Sequence, residues 1–475
     1  MMQLLTLSEF QILAKNAKKV AVFQEIPAGH LTPIAIYSLL NQAYQAPGVM
    51  LEDLHQGDNR YSYLCFEPIA TLTIQNGSHD NPLTALRHLQ SEHRYATREG
   101  MAERISSAVG FLTYDAIRYF EAIPDKHQPD PSLPICLFHF YALSIAFDHA
   151  KQTLIISTVI AVGHDPDQAF HRARKKITET IALLAHSIDS PPPVIKQPRT
   201  ITTDVDTSDT DFISMIKKAK NYILRGDAFQ IVLSRCFKCH YTVTPFSIYQ
   251  TLRKVSPAPF MFYFPTESFV ILGASPERLV GVQQNTVTVN PIAGTRKRST
   301  EKTDEAITEE LLNDKKELAE HLMLVDLARN DVGAVSIPGS VRVDDFMQVK
   351  HYSHVSHITS TVKGQLHEKY DAFDALKAAF PAGTLSGAPK IRAMQIIDEL
   401  ETTRRGLYGG AICRLDGAGN LDSCIAIRMA ILQNGIACIR TGAGIVYDSN
   451  PAAEAQETYA KASSLIDAIA KAHGE

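Results

Sequence analysis

The chain has 475 residues, 45% of them hydrophobic and 21% charged, with a net charge of −4 from interleaved acids and bases. That composition suits a globular protein with two or more cores, and it offers neither a basic face for nucleic acid nor a charge bias toward an anionic membrane. No apolar run reaches bilayer length, and the first ten residues carry Glu9 and no basic segment, so no membrane span, no signal peptide and a cytoplasmic location are expected.

Short strands are predicted at 18–24, 61–74, 106–113, 135–147 and 153–162. A helix follows at about 166–186, where Phe170, Ala173, Ile177, Ile181 and Leu184 recur at helical spacing. Residues 187–206 are rich in Pro, Ser and Thr without apolar periodicity and read as a linker. Beyond it a helix at 209–225 carries Phe212, Met215, Ile216, Ala219 and Ile223, and strands follow at 228–242, 261–264, 268–274, 279–282 and 286–289. One long helix is predicted at 303–328, then strands at 341–349 and 354–363 and helices at 371–379 and 388–400. Strands at 408–415, 421–432 and 436–441 precede a last helix at 451–471, opened by Asn450 and Pro451. Strands and helices cluster and no repeat is present, so the pattern indicates an α+β fold with large antiparallel sheets.

Several segments carry chemistry. The Gly- and Pro-rich run Phe380–Met394 opens into a helix bearing Lys390 and Arg392, which suits a small anionic ligand. Glu317 and Glu320 share a helix face, as do Glu454, Glu457 and Lys461 in the last helix, with Ala455, Tyr459, Ala462, Ile466 and Ile469 on the other side. Two such carboxylate pairs are either solvated or share a hard divalent cation such as Mg²⁺. Thr441-Gly442-Ala443-Gly444 reads as a second glycine loop whose free N–H groups could hold a carboxylate. Arg428, in a strand that is apolar on both sides, is costly unless it meets an anion. His351, His354 and His357 alternate faces on a strand and so make a poor zinc site. Cys236-Phe-Lys-Cys239-His240 matches a haem-attachment pattern, but on a strand; the seven cysteines form no disulfide framework.

Five motifs then occur in order: Ser275-Pro276-Glu277-Arg278, Pro291-Ile292-Ala293-Gly294-Thr295-Arg296, the run Ala319–Asp331, the 380–394 loop and the 441–444 loop. Together they resemble the chorismate-utilising enzymes, and among them the anthranilate synthase component I type. The resemblance is strong over about 205–470 and weaker before, through Arg60-Tyr61-Ser62 and Gly110–Asp115. It implies two large packed antiparallel sheets with helices outside, and three stretches: an N-terminal region 1–186, the linker, and a chorismate-binding catalytic region 207–475.

The resemblance also implies site roles. Glu320 and Glu457, with Glu317 and Glu454, would hold Mg²⁺; Glu277 would be a general acid and His357 would serve a second step. Gly294, Thr295, Thr384, Tyr408, Arg428, Gly442, Ala443, Gly444 and Lys461 would bind chorismate. Two positions bear on the nucleophile. Gln230 stands where water-using relatives carry a Lys base, and Ala293 stands where 4-amino-4-deoxychorismate synthases carry a Lys nucleophile. Direct attack by ammonia remains, with 4-amino-4-deoxychorismate synthesis or a non-catalytic chorismate-binding paralogue as alternatives. Asn290 and Lys297 depart slightly from the family pattern. No G-x-C-x-G surrounds any cysteine, so a separate glutamine amidotransferase subunit, and hence a hetero-oligomer, is implied. Tryptophan as a feedback ligand is implied between Glu52-Asp53 and the segment containing Pro259, Phe260 and Met261, with Asp53 in place of the family's serine; tryptophan is expected to bind and to inhibit weakly.

Overall fold

The structure, a computed structural model, describes residues 4–44, 46–54, 60–185, 201–298, 303–351 and 355–474. Its organising element is the strand Cys136–Asp148. One end pairs with Thr153–Ala161, the other with Ser106–Leu112, and Tyr61–Ile74 runs along its whole length. From this junction two arms diverge. One continues through Val49–Asp53, Phe260–Pro265, Val270–Ser275, Met429–Gln433 and Ile436–Ile445 to Gln230–His240. The other runs through Ser106–Leu112, Ala411–Asp416, Leu421–Ile425, Arg278–Gln283 and Thr286–Val289 to Val355–Gln365. All these pairings are antiparallel, so the two expected sheets are arms of one hydrogen-bonded sheet folded on itself.

The alternation of side chains along each strand puts an apolar face between the arms. Val109, Phe111 and Leu137 of one meet Phe262, Phe264, Ile271 and Met429 of the other, with Phe111 edge-on to Phe264 at 5.8 Å. Each such side chain, fully buried, contributes roughly 1.5–3 kcal/mol. Strands from before and after the expected linker pair in both arms. Most of that linker, 186–200, lies outside the described residues; its tail forms the short strand Thr203–Val205 against Phe237–Cys239.

The helices cover the outer faces. Those expected at 166–186, 209–225, 371–379, 388–400 and 451–471 appear as Pro166–Leu184, Asp209–Leu224, Ala372–Ala379, Lys390–Leu400 and Pro451–Ala472. The single helix expected at 303–328 is two, Asp304–Asn313 and Lys315–Gly333. Asp314 is extended (φ −80°, ψ 100°), and its carboxylate accepts the backbone N–H groups of Lys316 and Glu317, which starts the second helix afresh. Leu7–Ala14, Pro33–Ala43, Pro82–Glu92 and Pro245–Val255 are additional helices. On the last helix Ala455, Ala462, Ile466 and Ile469 are buried as expected, but Tyr459 is half exposed.

Three strand readings are corrected. The strand expected at 421–432 breaks into Leu421–Ile425 and Met429–Gln433, so Arg428 lies in the kink between them, with φ +50°. The strand expected to stop at 441 runs to Ile445, so Thr441–Gly444 is not a free loop. Gly442 opposes Ser234 and Gly444 opposes Val232 in the ladder. His351 and His357 lie on the two strands of a hairpin, Arg342–His351 and Val355–Gln365, not on one; His354 lies outside the described residues. All seven cysteines are free thiols, and Cys236 and Cys239 are buried in the ladder, where neither offers a haem an attachment point. Among the described residues no helix is long and apolar enough to cross a membrane.

Candidate active site

The site is assembled where the Phe380–Met394 run, the kink at Arg428 and two acidic helices meet. Glu277 occupies the bend between Val270–Ser275 and Arg278–Gln283, its carbonyl accepting from Ile425 N at 3.0 Å. Thr384, in the short helical turn Gly383–Ser386, donates its hydroxyl to Glu277 Oε1 at 3.1 Å. Burial pushes the Glu277 carboxyl up to about 8, with the Thr384 hydroxyl opposing. The acid is therefore protonated at neutral pH. The basic residues expected to make the 380–394 run an anion site do not do so. Lys390 donates to Asp331 at 2.6 Å and Arg392 to Asp227 at 2.7 Å, both spent on internal ion pairs.

The two carboxylate stripes face one another. Burial and the Glu317 and Glu457 carboxylates raise Glu320; burial raises Glu454, with Glu457 adding to it and the Ser449 hydroxyl opposing. Glu317 accepts from Arg296 at 3.0 Å and Glu457 from Lys461 at 2.6 Å. Among the described residues no three His, Cys, Asp or Glu side chains already converge at metal-ligand spacing. The donor set is nonetheless one a hard cation fits: four carboxylates from two helices, like charges that raise the proton affinity of Glu320 and Glu454, and no hydrogen bond at Glu320 among the described residues.

On the opposite wall Tyr408 is buried, and its hydroxyl lies 2.6 Å from where a Cβ on Gly442 would stand, so only glycine fits there. The hydroxyl is pushed up to about 12 by burial. Behind Tyr408 runs a buried ionic network: Glu401 accepts from Arg405 at 2.6 Å and from the Ser234 hydroxyl at 2.9 Å, and Arg405 also donates to the carbonyls of Val232 and Leu385. Leu385 adjoins Thr384, so the network ties Tyr408 to the turn that carries the partner of Glu277. Lys461 Nζ donates to Gly442 O at 3.0 Å. The kink directs Arg428 toward the last helix, where Nη1 reaches Lys461 O at 3.4 Å. Among the described residues Arg428 forms no ion pair, and burial lowers its proton affinity. A partly buried guanidinium without an ion pair among the described residues, beside a tyrosine, has the chemistry to receive an anion.

His357 Nδ1 lies 2.8 Å from Gly294 O. A carbonyl only accepts, so Nδ1 carries the hydrogen and Nε2 is the basic nitrogen. Burial lowers the His357 pKa, and the Arg428 charge adds to this, so the ring is neutral at pH 7. Gly294 takes φ +62° and lies against Glu317; Thr295 follows it in the strand Ile292–Lys297, and Ala293 opposes Ile358. Gln230 is 5% exposed, with Nε2 2.7 Å from the position a Gly444 Cβ would take, and Oε1 is buried without a hydrogen-bond partner. Leaving such an acceptor unpaired costs roughly 1–3 kcal/mol.

Arg235 is a further residue that supports the acidic helix, one that the sequence motifs do not single out. It is fully buried and stacks on the rings of Phe212 and Phe237, and it donates to Thr458 Oγ1 at 2.9 Å and to Ala455 O at 2.9 Å. It thus clamps the turn that presents Glu454 and Glu457. An arginine inside an apolar strand was the signal.

A separate cavity of about 350 Å³ is lined by Asp53, Tyr61, Arg104, Phe260, Met261, Arg278 and their neighbours. Glu52 and its ladder partner Met261 are both part of this lining, but the Glu52 carboxylate, 0% exposed, is turned away from it. Neighbouring strand residues point to opposite faces, and its carboxylate is closed off by the Tyr249 hydroxyl at 2.6 Å and Arg253 at 2.9 Å. Pro259 is outside the lining, its carbonyl accepting from Leu54. Arg278 pairs with Asp422 at 2.9 Å, reaches Asn290 and lies over Phe260.

Residues 47–467 match the family model of chorismate binding enzymes. Component 1 of anthranilate synthase from Acetivibrio thermocellus is 40% identical, over 98% of both chains, and that from Aquifex aeolicus 37%, over 98% of this chain and 97% of the other. The crystal structure of anthranilate synthase component I from Streptococcus pneumoniae superposes with a TM-score of 0.77 at 36% identity, covering 93% of this chain and 98% of that one. The menaquinone-specific isochorismate synthase of Escherichia coli, at 19% identity over 98% of both chains, shares the fold with a TM-score of 0.71.

Proposed function

The chain belongs to the chorismate-binding enzyme family, and from that premise we propose that it is the large subunit of an anthranilate synthase, a cytoplasmic enzyme of tryptophan biosynthesis. It converts chorismate and ammonia to anthranilate and pyruvate. Glu277 carries the reading: a carboxyl held at about 8 is a proton donor at neutral pH, and losing a ring hydroxyl requires one. Ammonia forms a bond to C2, the C4–O bond breaks, and the proton of Glu277 leaves with the hydroxyl as water. In the second step a ring proton is removed, the enolpyruvyl ether bond breaks, and pyruvate departs as the ring becomes aromatic. His357, neutral with Nε2 basic, is the group for that proton; His357→Ala would accumulate the amino intermediate, and loss of both steps together would reduce His357 to a positioning role.

Arg428 and Tyr408 bind the enolpyruvyl carboxylate, and Lys461 with Gly442, Ala443 and Gly444 flanks the ring carboxylate. Gly294, Thr295 and Thr384 line the pocket. Glu320 and Glu457, supported by Glu317 and Glu454, are the residues that would hold Mg²⁺. When bound, the ion neutralises and orients the ring carboxylate. Two observations support ammonia as the nucleophile. Gln230 is an amide with no useful basicity, and Ala293 offers no side-chain nucleophile.

Ammonia comes from a separate glutamine amidotransferase subunit. The purified chain should be inactive with glutamine and active with ammonium; turnover with glutamine alone would overturn the division of labour. The 350 Å³ cavity between Asp53, Phe260 and Met261 is the site proposed for tryptophan. Its size fits a small-molecule pocket.

A further inference from the structure

We propose that Cys438 is a peroxide-reactive thiol, and that Cys236 on the neighbouring strand resolves its oxidised form into a disulfide. This modification site is independent of the amination reading.

The Cys236-Phe-Lys-Cys239 motif does not pair within itself. Residues three apart on a strand point to opposite faces, and Cys239 is buried on the far face with Ala437 opposite it. The ladder gives Cys236 a different neighbour. Where Gln230–His240 pairs with Ile436–Ile445, Lys238 opposes Cys438 and Arg440 opposes Cys236. Directly opposed residues share a face, as do residues two apart, so two thiols and two cations form one block. Within it the thiols are diagonal neighbours, and their side chains interact directly. Cys438 is partly exposed and Cys236 only 9% exposed, so an oxidant meets Cys438 first. Three acids border the block. Asp204 opposes Lys238 from the strand Thr203–Val205, Asp206 pairs with Arg440 at 3.1 Å, and Asp130 acts on Cys438. Arg440 also reaches Ser234 at 3.2 Å and Glu401 at 3.8 Å, so the dithiol adjoins the ionic network behind Tyr408.

Interaction with the Cys236 thiol brings Cys438 down to about 7; burial opposes this and Lys238 adds to it. A nucleophilic thiolate is therefore present at neutral pH. Its sulfur attacks one oxygen of hydrogen peroxide and the O–O bond breaks. Sulfur is oxidised to a sulfenic acid, and the departing hydroxide takes up the proton Cys438 had released. The Cys438 thiolate is the main cause that holds Cys236 protonated, so oxidation removes that restraint. Cys236 sulfur then attacks the sulfenic sulfur, the S–O bond breaks, and hydroxide leaves with the Cys236 proton as water. Two thiols and one peroxide become one disulfide and two waters. The other cysteines lack this setting: burial pushes the thiols of Cys65, Cys136, Cys239, Cys413 and Cys424 up, and they stay protonated.

The test treats the reduced full chain with substoichiometric hydrogen peroxide at pH 7, blocks thiols with iodoacetamide and maps every cysteine by peptide mass spectrometry. Cys438 should be consumed about tenfold or more faster than the thiols outside the pair, since a thiol near 7 is about half ionised there and an ordinary one a few per cent. The product should be a Cys236–Cys438 disulfide that a dithiol reductant reverses. The rate of Cys438 loss should rise as pH climbs through about 7 and then level off. Cys236→Ser should stop at the Cys438 sulfenic acid, trapped by dimedone. The proposal is overturned if Cys438 reacts no faster than the buried thiols, or if its bond forms to a cysteine other than Cys236. It is equally overturned if the sulfenic acid persists alike in wild type and Cys236→Ser.

Discussion

Replacing Glu277 by Gln keeps the shape of the side chain and removes its proton. The structure sets the size of the effect. A carboxyl at its ordinary value of 4.5 is protonated roughly 0.3% of the time at pH 7, and one near 8 about 90%, a gain of about 300-fold in the working form. Removing a general acid of this kind lowers kcat by roughly a hundred- to ten-thousand-fold. For wild type, kcat measured at saturating free ammonia should fall as pH rises through about 8, because the proton donor is lost there. Thr384→Val removes the hydroxyl that favours the charged carboxylate, so the alkaline limb should move upward, by about one pH unit if the bond is worth about 1.4 kcal/mol. Stability follows the same sign. The folded state holds this proton more tightly than the unfolded one, so wild type loses stability as pH climbs from 4.5 through about 8. Glu277→Gln should lose less over that range, by the share this group contributes. A Thr384→Val limb that moves down, or a Glu277→Gln variant with wild-type kcat, would refute the assignment.

Glu320→Gln should abolish Mg²⁺-dependent turnover and weaken Mg²⁺ binding measured by calorimetry without substrate; wild-type affinity in that variant would remove Glu320 from the metal set. Arg428→Lys keeps the charge but not the planar fork, so kcat/KM for chorismate should fall by about tenfold or more; an unchanged value would mean that the guanidinium faces no carboxylate. The chain contains no tryptophan, so the fluorescence of added tryptophan reports its binding directly. Titration should saturate and inhibition should be weak, and Asp53→Ser should strengthen it by removing a charge that repels the ligand carboxylate; absence of binding, or inhibition unchanged in the variant, would discard the cavity as a regulatory site.

What could be read from the sequence was what depends on local spacing. Glu454, Glu457 and Lys461 fall on one face because a helix opened by Asn450-Pro451 has a fixed period, and the structure places them against Glu317 and Glu320. The helices opened by Thr32-Pro33, Asn81-Pro82 and Thr244-Pro245 carry the same kind of signal, but they are short and lie in strand-rich surroundings that mask it. Asp314 was hidden inside an apolar period, where a side chain that caps is indistinguishable from one that is solvated. Long-range pairing was out of reach. Lys390 and Arg392 looked available until Asp331 and Asp227 claimed them, the latter 165 residues away, and Glu52 is taken by Tyr249 and Arg253, 197 and 201 residues away. The kink at Arg428 arises because Leu421–Ile425 pairs with Arg278–Gln283 while Met429–Gln433 pairs with Val270–Ser275, a division that hydropathy along 421–432 does not mark.

The most direct measurement is to supply the purified chain with chorismate, Mg²⁺ and isotopically labelled ammonium and to identify every product. The account predicts anthranilate carrying the label, with one pyruvate released for each. Unlabelled isochorismate or salicylate would contradict the reading of Gln230, and labelled 4-amino-4-deoxychorismate without pyruvate would contradict that of Ala293.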